Sequence, residues 1–154
     1  MARNVIRAAG STFWKTFAVT SSNVTVAQKA LTGAATGDLI VEKVIFQTDA
    51  TGLAGMTNFE LGVSGETYGP NLPVVEAASN LGASVVRQCP NPSTFADTTN
   101  DTGMTVTAAV PFVLQAGDSL QYSGSVVAGT GAGVVLIAIK FYRVADNADI
   151  VSAV

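Results

Sequence analysis

The stretch VVLIAIKFYRV, residues 134–144, limits the architecture of this chain more than any other segment. Val135, Ile137, Ile139 and Phe141 recur at every second position, the period of a β-strand. Val134, Leu136 and Ala138 make the opposite face apolar too, until Lys140 and Tyr142 return it toward water. A strand of an antiparallel sheet ordinarily wets one face, so a strand apolar on both needs cover on both. The domain's own core is one cover. The other is a neighbouring subunit or the chain's own N-terminal arm. The subunit is the expectation here, each large aliphatic buried there contributing about 1.5–3 kcal/mol.

The same period recurs along the chain. Met104, Val106, Ala108 and Val110 alternate with Thr105, Thr107 and Ala109, and Leu120, Tyr122, Gly124 and Val126 alternate with Gln121, Ser123 and Ser125. Phe59, Leu61 and Val63 share a face, as do Phe13, Phe17 and Val19, with Lys15 interrupting the latter. The segment NVTVA from Asn23 is a further strand candidate. In DLIVEKVIFQTD, residues 38–49, neither face is cleanly apolar. A β-bulge at Glu42–Lys43 restores one, with Leu39, Val41, Val44 and Phe46 on it. In PFVLQAGDSLQYSGS, residues 111–125, Gly117 and Asp118 mark a sharp turn between two apolar runs.

One segment has helical spacing. Val74, Ala77, Ala78 and Leu81 fall at i, i+3, i+4 and i+7 between Pro73 and Gly82, which predicts a short helix over 73–82. Residues 89–103 form the longest loop by composition, and loops of that size tend to be contact or function sites. Many short strands, Gly-rich turns and at most one short helix predict an all-β antiparallel β-sandwich or jelly roll. The expected organisation is an N-terminal arm over 1–12 and a single domain over 13–154. A chain of 154 residues can bury roughly 70% of its unfolded surface without disulfides or metals.

Chemistry-bearing patterns are sparse. The chain has no histidine, which removes His-based triads and His-ligated metal centres. Its one cysteine, Cys89, has no neighbour that would lower its pKa and reads as a structural thiol. GVSGETYG and GTGAG are glycine-rich, but neither opens a helix as a phosphate cradle would, and both read as hairpin turns. Asp97, Asn100 and Asp101 offer oxygen ligands without the periodicity of a calcium loop, so a solvated loop is the reading preferred. The sequons at Asn23 and Asn100 carry no weight, since no secretory leader is evident. No catalytic residue, cofactor or metal is expected. The net charge of −3 and scattered basic residues argue against nucleic acid as a partner, and no stretch approaches the apolar length of a membrane span.

Only 12% of residues are charged, against about 25% in ordinary soluble proteins. Such a surface is coated in Ser, Thr, Asn, Gln and Gly, or is buried against partners. The candidate interface residues are Arg3 and Arg7 in the arm, Phe13 and Trp14 in the aromatic cluster TFWKTF, and Val134 and Leu136 on the second apolar face. For Phe13 and Trp14, packing within the core is the competing reading.

FVLQAGDSLQ resembles the turn of jelly-roll domains of the tumour-necrosis-factor and C1q type. There an apolar strand ends, Gly-Asp turns the chain, and the next strand restarts with an aliphatic. Phe112 and Leu114, Gly117 and Asp118, and Leu120 fill those roles. The resemblance implies a trimer built around apolar strands. The whole chain also resembles tailed-bacteriophage capsid decoration (cement) proteins. It is small, rich in Ala, Thr, Gly and Val, and opens with an arm followed by sandwich strands, and TGDLIVEKVIFQTDATGLAGMTNFELGV, residues 36–63, has the character of such virion proteins. That resemblance implies a homotrimer on the outer capsid surface, bound to the major capsid protein, assembled in the host cytoplasm and free of catalysis. The alternative is a phage receptor-binding or lectin-like module, for which Tyr68, Phe95 and Tyr122 are the candidate sugar platform.

Overall fold

The computed structural model describes residues 7–24, 29–53, 56–64, 73–77, 83–84, 86–89, 104–105, 111–126 and 133–154. Arg3, Tyr68, Phe95, the 97–101 loop and residues 106–110 lie outside these. The strands are β1 (Thr12–Thr20), β2 (Lys29–Ala30), β3 (Leu39–Thr48), β4 (Met56–Ser64), β5 (Pro73–Ala77), β6 (Val86–Cys89), β7 (Met104–Thr105), β8 (Phe112–Leu114), β9 (Ser119–Val126) and β10 (Val134–Arg143). A 3-10 turn, Ser21–Asn23, follows β1. Among the described residues all pairings are antiparallel, and they form two five-stranded sheets. The front sheet runs β1-β10-β3, and β3 carries both β6 and β8 on its remaining edge. The back sheet runs β2-β9-β4-β5-β7. The chain is an all-β sandwich, as its alternating pattern predicts.

The core lies between the sheets. Phe17 and Val19 of β1, Val135, Ile137, Ile139 and Phe141 of β10, and Leu39, Val41, Val44 and Phe46 of β3 are buried from the front. Phe59, Leu61 and Val63 of β4 and Leu120 and Tyr122 of β9 meet them from the back. Phe46 and Phe59 touch edge to face across the gap, ring centroids 5.4 Å apart. The expected bulge is present. Lys140 pairs with Lys43 but Phe141 pairs with Val41, so Glu42 is the extra residue on β3. The insertion flips the parity of β3 and lets four aliphatic and aromatic side chains reach one core.

The segment expected to be helical is partly a strand. Pro73–Ala77 pairs with β4, Pro73 standing opposite Gly62. Proline is tolerated at the first residue of a strand, and Val74 and Val75 are β-branched, so the sheet prevails over a five-residue fragment of helical spacing. Residues 78–82 lie outside the described set.

The Gly-Asp turn is a corner between the sheets, since β8 belongs to the front sheet and β9 to the back. Gly117 takes φ +96°, which only glycine adopts cheaply. The Asp118 carboxylate accepts the Gln115 N–H at 3.0 Å, and Asp38 accepts the Ala116 N–H at 2.9 Å. Ala35 closes the corner from the other side, donating to Asp118 O at 2.7 Å and accepting from Gly117 N at 2.9 Å.

The two ends of the described chain meet at this same end of the sandwich. Gly10 N donates to Arg143 O at 2.8 Å and Arg143 N to Ser11 O at 2.9 Å. Ala9 N donates to Asp146 at 2.6 Å. The Arg143 side chain is 7% exposed and donates to Ala148 O and to Ser11 Oγ, both at 2.9 Å, with its guanidinium 3.8 Å from the Phe13 ring centre. Beyond Ile150 the tail runs along residues 31–33, with Thr32 bridging Ser152.

Candidate interaction surface

The register of the front sheet sorts its outer face into four rows across the strands. Ala18 stands beside Leu136, Leu136 beside Gln47, and Gln47 beside Val86. The next row is Thr16, Ala138, Ile45 and Gln88. The third is Trp14, Lys140 and Lys43, and the last is Thr12, Tyr142, Ile40 and Val113. The first two rows carry no charge. Trp14 is 48% exposed, Leu136 40%, Val86 53% and Val113 53%. Four of the seven large hydrophobic residues exposed among the described residues therefore share one sheet face. Isolated exposed aliphatics need no explanation, whereas a contiguous patch marks an interaction surface.

The bulge also shapes the charged row. It leaves both Glu42 and Lys43 half-buried and outside the core, while Val41 and Val44 on either side are buried. Glu42 reaches Lys140 at 2.8 Å. Lys43 stands directly opposite Lys140, a like-charge cross-strand pair that costs stability. Among the described residues no carboxylate pairs with Lys43. Beside the bulge lies an open depression of about 400 Å³ lined by Ile40, Glu42, Pro111 and Tyr142.

The structure divides the candidate interface residues. Trp14, Val134 and Leu136 are on this outer face, with Val134 half-buried. Phe13 is not. It points to the core side and stacks on Phe141 with ring centres 5.2 Å apart. Arg7 lies against its own chain, its N–H donating to Asn147 at 3.1 Å and its guanidinium paired with Asp149. Lys15, the interruption on the core face of β1, reaches the same carboxylate at 3.6 Å. Residues 7–11 thus engage residues 143–149 and leave the Leu136 row uncovered. Tyr122 is 3% exposed and stacked on Phe59, so it forms no sugar platform. Lys43, Ile45, Val86 and Val113 complete the face without having been singled out in sequence. For Lys43 and Ile45 the signal was present, since the bulge that buries Val44 sets both on the opposite side.

A second cluster holds β10 in place. The Asp49 carboxylate accepts the Gly52 N–H at 2.7 Å, the Thr51 N–H at 2.9 Å and the Val134 N–H at 3.1 Å. Its pKa is held below the usual carboxylate value, chiefly by the Gly52 N–H. These are structural bonds that fix the start of β10. Among the described residues no group of three His, Cys, Asp or Glu is placed to hold a metal, and no helix is long and apolar enough to cross a membrane.

Two solved structures share this arrangement of strands. A chain of the "Cyanophage Pam1 capsid asymmetric unit" matches with a TM-score of 0.54 and 16% identity, over 88% of this chain and 86% of that one. A chain of the "Acidic stable capsid structure of Helicobacter pylori bacteriophage KHP30" matches with a TM-score of 0.50 and 10% identity, over 94% and 98%. The fold is common to all three. No family model matches the chain, and no curated protein matches it in sequence.

Proposed function

We propose that this protein is a structural component of a bacteriophage virion, a homotrimer that decorates the outer capsid surface and braces the major capsid protein lattice. The observation that carries the reading is the open, apolar outer face of the front sheet, on a fold shared with chains of two phage capsids. The mechanism is burial. Covering Leu136, Val86, Val113 and Trp14 would contribute about 1.5–3 kcal/mol for each large apolar side chain fully removed from water. A trimer would multiply weak contacts to a repeating lattice through avidity. The few charges on the surface keep the desolvation cost of such flat packing low.

The test is binding to bare, expanded phage shells stripped of this protein. Saturable, stoichiometric attachment and greater resistance of the shells to heat support the role. Attachment to host cells or glycans with none to shells would replace it with a receptor-binding role.

A further inference from the structure

Sheet edges offer unpaired backbone groups, and proteins keep them short, bulged or covered. Among the described residues three of the four edges obey. The back sheet ends in β2 and β7, each of two residues, and the far edge of the front sheet is divided between β6, of four, and β8, of three. The fourth edge is β1, nine residues without proline, in unbroken register with β10 from Thr12 to Thr20. Its backbone parity is fixed at both ends. Ser21 N donates to Gly133 O at 2.8 Å and Arg143 N to Ser11 O at 2.9 Å. Odd-numbered residues of β1 therefore turn N–H and C=O toward β10, and Thr12, Trp14, Thr16, Ala18 and Thr20 turn theirs to the free edge. Thr12, Trp14, Thr16 and Ala18 are exposed, so the outer side of this edge is open. An inward lysine can guard an edge, but Lys15 is already engaged by Asp149 at 3.6 Å.

The sequence of this edge fits a second copy of itself. In antiparallel pairing centred on Thr16, TFWKTFAVT sets Thr12 against Thr20, Trp14 against Ala18 and Thr16 against Thr16, with Phe13 against Val19 and Lys15 against Phe17 between them. Every outward-turned backbone group finds a partner, about ten bonds in all. Threonine meets threonine, the largest side chain of the strand meets the smallest, and no charge meets its own copy. Moving the centre to Lys15 would set the two lysines directly opposite, which costs stability. Moving it to Phe17 leaves Thr12 unpaired.

We propose that β1 pairs antiparallel with β1 of a second copy about a two-fold axis through Thr16, joining the two front sheets into one. The contact is isologous. It leaves the outer face open and carries the row of Ala18 and Leu136 across the axis to Trp14 of the second copy. It does not rest on the homotrimer of the proposed function, whose three-fold contact would use other surface. Within a shell it would link one trimer to the next.

An edge pair is a small interface, so association shows at high protein concentration. The test follows the full chain by sedimentation across a concentration series. Expected is a species of twice the starting mass, with the N–H groups of Trp14, Thr16 and Ala18 gaining protection from hydrogen exchange as it forms. Those of Lys15 and Phe17, already bonded to β10, should not change. Thr16→Lys and Thr16→Glu each put like charges at the axis and should weaken association roughly fivefold. Mixed one to one, the two variants should associate at least as tightly as the wild type, because only a residue that faces its own copy is repaired by its opposite. Thermal melting of either variant in dilute solution should match the wild type, since Thr16 is exposed. No doubling of mass, edge N–H groups that exchange equally fast at all concentrations, or a mixture no tighter than either variant overturns the proposal. So does protection of those groups only when shells are added, which would give the edge to an extended segment of shell protein. Shell binding of the wild type is scored separately. Its failure refutes the virion role and leaves the strand pair standing, and shell binding by a chain that never doubles in mass does the reverse.

Discussion

The two outer faces of the sandwich are covered in the opposite sense to their chemistry. The back sheet presents Gly62 and Ser64 on β4 beside Gln121 and Ser119 on β9. Ser64 and Ser119 hydrogen-bond to each other through their hydroxyls. Gly62 is buried and Ser123 is only 7% exposed. The front sheet presents Leu136, Ile45, Val86 and Trp14, with Leu136, Val86 and Trp14 well exposed. A chain folding for itself alone would close over the apolar face and leave the polar one to water, because burial of apolar area is the larger gain. This chain does the reverse at the positions described. At the positions described, the apolar face is the more open of the two.

The sharpest way to break that contrast lies in two adjacent residues of β10. Ile137 is fully buried and Leu136 is 40% exposed. Ile137→Ala should cost about 2–5 kcal/mol, as buried aliphatic truncations do. Leu136→Ala should stay within about 0.5 kcal/mol in dilute protein, as surface changes do. Urea denaturation of both variants measures the difference. Equal losses would mean that the outer face is covered within the subunit.

The contrast also depends on β10 keeping its register, which Gly133 and Asp49 secure. A Cβ on Gly133 would lie 1.7 Å from Gly52 O, a backbone atom that cannot swing aside. Gly133→Ala should therefore cost about 1–3 kcal/mol through backbone displacement, read from the same urea midpoint, and should lower the exchange protection of the Val134 N–H.

The smallest effect is the pH dependence at Asp49. Its folded pKa lies below the ordinary value of 3.8, so its carboxylate contributes stability above that value. The contribution is lost as pH falls through the folded pKa. The melting temperatures of the wild type and Asp49→Asn should differ near neutrality and converge as pH falls through the lowered folded pKa. A gap that persists in acid would assign the loss to geometry.

Much of this architecture was legible in sequence. The bulge at Glu42–Lys43 could be located because a strand with one core face must keep parity, and the apolar parity of residues 39–46 breaks at one place. The Gly-Asp corner was legible as a turn, but its role as the passage between sheets was not, because strand order depends on pairings remote in sequence. The segment at 73–77 misled because five residues can satisfy helical and strand spacing together. Phe13 and Trp14 were grouped as neighbours in sequence, though adjacent strand positions point to opposite faces. Lys15 interrupts its face because its partner is Asp149, at the far end of the chain. The exposed face could be anticipated for β10, whose own residues are apolar on both sides, and through the bulge for Lys43 and Ile45 of β3. Val86 and Val113 join it through register, which composition does not encode.

The pairing of Thr12 with Tyr142 has a mechanical consequence. β1 and β10 are antiparallel neighbours whose outermost residues sit at one end of the sheet, where Gly10 and Ser11 bond Arg143. A pull that separates Ser11 from Arg143, once the tail is freed from residues 31–33, would load those few bonds first and then open the pair like a zipper, one rung after another. A load spread across the sheet's broad face would instead press on every rung at once. A β1–β10 pair wired this way resists being peeled from that end poorly and resists load through its flat side well.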